Sequence, residues 1–377
     1  MVRFIHTADW QLGMTRHYLG GDAQPRFSAA RIDVIRSIGA LALDQGCPFV
    51  VVCGDVFETN HVERQVVVRA LDAMAATPQI TFYLLPGNHD PLDASSVFRS
   101  QTFVSHRPAN VVVLESTDLI SPVPGVELVP APWTSKRPLT DLVGGAVADL
   151  VPGDTRRIVV GHGALDVLSP DDTNPALVAL AGVEAALADG RIHYLALGDR
   201  HSATSVGRTG CVRYSGAPEP TDFREVDPGQ VLVVELDESG RVAVEAHRVG
   251  TWHFVRHEAN LTGHSDVDLL DSFLDTLADK ARTIVRLSLV GQLSLTEKAR
   301  LDSVLAHHGD LFASLQGWER RIDLLVLPDD TDLDSLGLSG FALDALADLQ
   351  ALAAPPGESV VAQDAMALLA RLAGVAS

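Results

Sequence analysis

Leu84-Leu85-Pro86-Gly87-Asn88-His89-Asp90 reads as the end of an apolar strand running into a turn whose side chains bind metal or move protons. Asn88 offers a neutral carbonyl oxygen, His89 an imidazole that gives or takes a proton near neutral pH, and Asp90 a carboxylate. A Gly-Asn pair alone is ordinary turn chemistry. The reading changes because four more polar clusters follow strand-like runs: Asp9-Trp10-Gln11, Gly54-Asp55-Val56-Phe57-Glu58, Gly161-His162-Gly163 and Gly198-Asp199-Arg200-His201. Five such strand ends in one chain point to one assembled site.

The runs between these clusters set the fold class. Residues 3–8 form a short apolar strand, and a polar loop is expected from 9 to 26. Residues 29–43 carry Ile32, Ile35, Ile38 and Leu41 at helical spacing, and Gly46 and Pro48 stop that helix. Phe49–Cys53 is a continuous β-branched run, the pattern of a strand covered on both faces. A helix over 63–75 and the strand Thr81–Leu85 follow, and this alternation implies a layered α/β fold. Further short strands fall near 111–114, 126–129, 157–160 and 194–197. Residues 212–215, 231–236 and 242–248 read as an antiparallel run closing a domain near Gly250.

Beyond Gly250 the rhythm changes. Strand-like 252–261, helical 266–281, strand-like 283–290, helical 294–307 and strand-like 321–327 suggest a small α+β cap. From Pro328 the chain turns acidic, with two amphipathic helices expected at 341–352 and 360–372 around Pro355-Pro356-Gly357. The expected division is therefore 1–250, 251–328 and 329–377.

At 377 residues, 46% hydrophobic and 21% charged, the chain has the make-up of a soluble globular protein with a substantial core. The start shows no signal-peptide pattern, and no apolar run approaches the ~18 residues of a membrane span. Cys47, Cys53 and Cys211 lack CxxC spacing and are expected as reduced core residues of a cytoplasmic protein. The net charge of -20 opposes a broad basic surface for nucleic acid, yet leaves room for a local groove or for metal ions that offset phosphate charge. Almost every cation is arginine, which suits phosphate contacts but is explained more cheaply by GC-rich coding.

Taken in order, D-x-Q, GDxxE, GNHD, GHG and GDxH resemble the calcineurin-like metallophosphoesterases, whose pattern is D-x-H, GDxxD, GNHD/E, GH and GHxH. The surrounding residues are similar to the SbcD-type DNA repair nuclease subunits: His6-Thr7-Ala8-Asp9-Trp10 with Leu12-Gly13, Gly54-Asp55-Val56-Phe57, and Tyr214-Ser215-Gly216 with Pro218-Glu219. The resemblance covers residues 1 to about 250, the cap less well and the tail hardly at all. It implies a four-layer α/β/β/α sandwich with a small α+β cap domain and a helical C-terminal tail. It also implies a 3′ to 5′ exonuclease with endonuclease activity, a cap that positions DNA, a homodimer and a coiled-coil ATPase partner of the SbcC type. The tail helices suit docking on such a partner, or packing on the protein's own cap.

Hydrolysis of a phosphodiester by two metal ions needs a ligand that bridges them at ~3.5–4 Å. The resemblance makes Asp55 that bridge, with Asp9, His201 and Gln11 at one ion and Asn88, His162 and Asp199 at the other. His89 is implied to be the proton donor to the leaving oxygen, with Asp90 orienting its ring. Gln11 stands where the family has histidine, and Asp199 replaces the first histidine of GHxH. Exchanging two imidazoles for oxygen donors tilts the expected metal toward Mn²⁺ or Mg²⁺ and away from zinc.

Other residues carry two readings each. Arg16, His17 and Arg26 fall in the loop after Asp9, as phosphate contacts or as a solvated loop. Arg200 pairs with a carboxylate or meets DNA. Glu58 bonds a metal-bound water or serves its own loop. His6, His61, His106 and His193 are expected as ordinary polar or core histidines, and Trp10 and Phe57 as core beneath the site. Two other functions stay open: a phosphoesterase for nucleotides or small phosphodiesters, and a scaffold that regulates an ATPase.

Overall fold

The computed structural model describes residues 1–171, 173–318, 321–326, 340–353, 361, 362, 365, 366, 368 and 369. The chain divides into two compact units, Met1–His17 with Gln24–Trp252, and Tyr18–Ala23 with His253–Ser377.

In the larger unit, β1 (Val2–Thr7), β2 (Phe49–Cys53), β3 (Thr81–Leu85) and β4 (Val111–Val113) run parallel. On the far side of β1 the sheet is completed by β11 (Gln230–Leu236) and β12 (Val242–Arg248), both paired antiparallel. A second six-stranded sheet has the order β5 (Ile120–Val123), β6 (Val126–Pro130), β7 (Arg156–His162), β8 (Tyr194–Gly198), β10 (Val212–Tyr214) and β9 (Thr204–Val206). Its four central strands, β6, β7, β8 and β10, are parallel, and its edge strands β5 and β9 are antiparallel.

The period of two along each strand builds the layers. Phe4, Phe49, Val51 and Tyr83 of the first sheet pack with Leu128, Ile158, Val160, Tyr194 and Ala196 of the second in one buried cluster. Their neighbours Ile5, Val50, Val52 and Phe82 face the other way, against α1 (Ala23–Asp44) and α2 (Arg64–Ala75) through Ile35, Ile38, Leu71 and Met74. Val159, Leu195 and Leu197 meet α4 (Leu142–Val147) and α5 (Leu180–Ala188), while a short α3 (Gln101–His106) lies between β3 and β4 in the chain. The result is the expected α/β/β/α sandwich. The all-buried β2 follows from its place between two parallel neighbours and two covered faces.

Two local expectations need correction. Helix α1 starts at Ala23, so Arg26 lies on the helix and not in the loop. Pro25 is tolerated because a first-turn amide has no intrahelical partner to lose. Strand β10 joins β8 in the second sheet, whereas β11 and β12 complete the first, so the three do not form one antiparallel run.

The smaller unit alternates β13 (His253–Leu261), α6 (His264–Thr276), β14 (Thr283–Leu293), α7 (Leu295–Gly309), β15 (Ser314–Gly317) and β16 (Asp323–Val326), with every strand pairing parallel. Ser294 and Glu297 form a capping box that starts α7. Helix α8 (Phe341–Ala353) matches the first tail helix, and the second, at 360–372, falls largely outside the described residues.

Candidate metal centre

All five polar clusters sit where parallel strands end: Asp9 after β1, Asp55 after β2, Asn88 and His89 after β3, His162 closing β7, and Asp199 and His201 after β8. The carboxyl ends of parallel strands are where α/β proteins place their ligands. Asp9, Asp55 and His162 are all buried, and each offers a donor atom within 4.8 Å of the others.

The backbone is bent to bring them there. Six non-glycine residues have positive φ among those described, and four are candidate ligands: Asp9 (54°), Gln11 (44°), Asp55 (54°) and Asp199 (95°). Such conformations cost roughly 1–3 kcal/mol each and persist only when the surroundings over-determine them. Here the Asp9 amide donates to Gly54 O at 3.1 Å and the Gln11 amide to Asp55 O at 2.9 Å, lacing the first two turns together. Glycine at 198 is required because a Cβ there would stand 1.9 Å from Cys53 O.

Each histidine is aimed by its other nitrogen. His162 Nδ1 donates to Cys53 O at 2.8 Å, which turns Nε2 toward Asn88 Oδ1 at 2.7 Å and Asp55 Oδ1 at 3.4 Å. His201 Nδ1 lies 2.7 Å from Thr221 Oγ1 and 3.2 Å from Glu225 Oε1, with Nε2 3.9 Å from Asp9 Oδ1 and 3.1 Å from Gln11 Nε2. Asp199 is drawn in through its amide, which donates to both Asp9 oxygens at 3.1 Å.

The electrostatics are those of a cation site. Burial, reinforced by Asp55 and Asp199, lifts the Asp9 carboxyl to about 7 despite His201 and His162 nearby. Burial alone would lower His162, but Asp55, Asp9 and Asp199 overcome it and raise the ring to about 9. A buried carboxyl raised in pKa beside an imidazole also raised marks a place where positive charge is wanted. Gln11 Oε1 is buried without a hydrogen-bond partner, a neutral oxygen left over for the same purpose. Carboxylate and amide oxygens with two imidazoles aimed by carbonyl, hydroxyl or carboxylate partners fit a hard or borderline divalent ion.

The role expected of Asp90 moves. Asp90 does not touch the His89 ring: its oxygens accept from Gly87 N at 2.8 Å and Phe57 N at 2.9 Å. The ring is oriented by Glu58 O, 2.9 Å from Nδ1. Two strand-end loops leave buried amides there, and the carboxylate satisfies both. Arg16 is engaged inside the protein, donating to Thr221 O at 2.6 Å, and Arg200 donates to Thr204 Oγ1 at 2.9 Å rather than to a carboxylate. His17 is exposed in a turn, and Arg26 is half-buried on α1.

Sequence reasoning missed Glu225, which receives the amides of Thr221 and Asp222 besides facing His201. It stands 24 residues past its partner with no motif to flag it. Trp10 and Phe57 are the expected buried supports. Cys47 and Cys53 are buried, but Cys211 is only partly so.

A family model described as calcineurin-like phosphoesterase matches residues 2–223. The SbcD subunit of the nuclease SbcCD of Rhodobacter capsulatus is 29% identical over 94 residues, which is 24% of this chain and 22% of that protein. The chain thus matches about a fifth of that relative's length. Among solved structures, a Thermus thermophilus protein covers 66% of this chain and 99% of its own at 10% identity and TM-score 0.40. A dimetal phosphatase from Danio rerio covers 62% and 92% at 15% identity and TM-score 0.38.

Proposed function

The chain belongs to the calcineurin-like phosphoesterase family, and we propose that within it this protein is a Mn²⁺-dependent DNA phosphodiesterase, a 3′ to 5′ exonuclease with endonuclease activity in DNA repair. The observation that carries the metal-dependent reading is the buried convergence of Asp9, Asp55 and His162.

In this reading two ions would be held by Asp55 together with Asp9, Gln11 and His201 for one, and Asn88, His162 and Asp199 for the other. The pair of ions, when bound, polarises a phosphoryl oxygen and activates a water. The oxygen-rich donor set favours Mn²⁺ or Mg²⁺. His89 does the proton work. With Nδ1 donating to Glu58 O, its second proton is gained and lost at Nε2, 4.0 Å from Asp55 Oδ2. The protonated ring delivers that proton to the departing oxygen.

DNA as substrate is supported by the SbcD relative and by one face of the smaller unit's sheet. Arg256 on β13 and Arg286 on β14 are register partners. Their guanidiniums lie 5.4 Å and 5.9 Å from the Trp318 ring, with Arg321 at 4.8 Å. Arginines grouped on an aromatic suit a phosphate backbone and its bases, although Glu258 lies 3.9 Å from Arg321. The net charge of -20 implies that DNA grip is shared, and a coiled-coil ATPase of the SbcC type in a cytoplasmic homodimeric assembly fits that need. Among the described residues no helix is long and apolar enough to cross a membrane. Helix α8, with Phe341 87% exposed, is the proposed docking element.

The same net charge favours a second reading, hydrolysis of nucleotides or small phosphodiesters, which need no extended basic track. End-labelled single- and double-stranded DNA with Mn²⁺, beside Asp55→Asn, separates them. Cleavage lost in the variant supports the nuclease. Turnover of a small phosphodiester with intact DNA supports the second reading, and no turnover with no bound metal would leave a scaffold.

A further inference from the structure

Arg31 lies on α1 with 1% of its surface exposed. A guanidinium that deep needs partners. One arm, Nη1, donates to Trp10 O at 3.0 Å and the other, Nη2, to Pro220 O at 2.7 Å, while the group sits 4.7 Å over the Phe27 ring. Burial pulls its pKa down to about 10 against the pull of Glu219 and Glu225, so it remains charged at neutral pH.

The two carbonyls it joins are not arbitrary. Trp10 stands between Asp9 and Gln11. Pro220 precedes Thr221, whose hydroxyl and whose partner Glu225 aim His201. The stretch from 218 to 225 contains no strand or helix. Side chains must therefore fix its place. Arg16 adds a second clamp on the same loop through Thr221 O at 2.6 Å. Both arginines bond backbone carbonyls, so each acts on the chain that carries the metal donors.

We infer that Arg31, assisted by Arg16, is a positioning residue that sets the spacing between the Asp9–Gln11 turn and His201, and so the affinity of the metal position those three residues form. The inference rests on the two-metal reading above.

The test is calorimetric titration of the metal-stripped 377-residue chain with Mn²⁺, alongside far-ultraviolet circular dichroism. Wild type should show two binding events. Arg31→Met should weaken one about 10–100-fold and spare the other, the range for groups that hold ligands in place. Arg31→Lys, which keeps charge but cannot reach both carbonyls as a fork, should fall between, and Arg16→Met should shift the same event less. If Arg31→Met does not fold, Arg31→Lys and Arg16→Met decide the matter. Wild-type binding of both ions in every folded variant overturns the inference alone. A wild-type chain that binds no ion overturns the two-metal reading and this inference with it.

Discussion

His162 Nε2 faces Asn88 Oδ1 at 2.7 Å, while its Nδ1 is committed to Cys53 O at 2.8 Å. A neutral ring donating at Nδ1 has a lone pair at Nε2, and an amide oxygen has nothing to donate. The contact therefore requires a proton, or a metal ion in its place. His162→Gln should remove at least ~100-fold of affinity for one Mn²⁺, since even groups that only orient ligands cost 10–100-fold. Asn88→Ala should act on the same ion. Metal titration by electron paramagnetic resonance checks both, and an unchanged two-ion stoichiometry would sink the assignment.

Asp90 joins two strand-end loops through Gly87 N and Phe57 N, and the His89 ring belongs to Glu58 O. Asp90→Asn turns an NH₂ toward one of two buried amides and should cost ~1–3 kcal/mol of stability, the penalty of an unsatisfied buried donor. His89→Asn should instead lower turnover ~10²–10⁴-fold with little change in stability, as loss of a general acid does. Urea denaturation and a phosphodiester assay distinguish them. Equal stability in both variants would return Asp90 to the ring-orienting role.

The layers and the clustered donors were legible because both are local. A run such as Phe49–Cys53 states its own burial, and a strand end followed by Asp or His states its own chemistry. What stayed hidden was decided across the chain. Alternation tells which face of β10 is buried but not which sheet it joins. Asp90 adjoins His89 in sequence, yet both its oxygens serve loop amides. Arg31 reads as one more polar position on an amphipathic helix until the loop at Pro220 is folded beside it.

Gly198 ends β8 against the carbonyl of Cys53, and a methyl there would meet that oxygen at 1.9 Å. The neighbour is backbone at the end of an all-buried strand, so it cannot yield cheaply. Gly198→Ala should cost ~3 kcal/mol or more, at the upper end for overpacking, and should yield insoluble protein or a melting temperature well below wild type. Gly145 on α4 has no atom within 4 Å of such a methyl. Gly145→Ala should gain ~0.5–1 kcal/mol through helix propensity. A thermal melt of both variants is sufficient, and equal tolerance at the two positions would contradict the packing argument.

His6 is fully buried on β1, with Nδ1 3.0 Å from the Tyr194 hydroxyl and Nε2 3.1 Å from Leu197 O. Burial lowers its pKa to about 3, outweighing the Leu197 contact that raises it, and Arg213 lowers it further. Between about 3 and 6.5 the unfolded chain therefore binds a proton that the folded chain refuses. The slope of stability with pH is positive in that window, so stability is fully present above 6.5 and is lost on acidification. Moving from about pH 7.5 to about pH 5 should cost ~2 kcal/mol from this residue, roughly 1.36 kcal/mol for each unit below its unfolded value. His6→Gln should be less stable at about pH 7.5 yet lose ~2 kcal/mol less on going to about pH 5. Comparing the two proteins cancels the opposing contributions of Asp9 and Asp90. Chemical denaturation of metal-free protein at the two pH values measures the difference, and parallel losses in wild type and variant would show that His6 takes up its proton inside the fold.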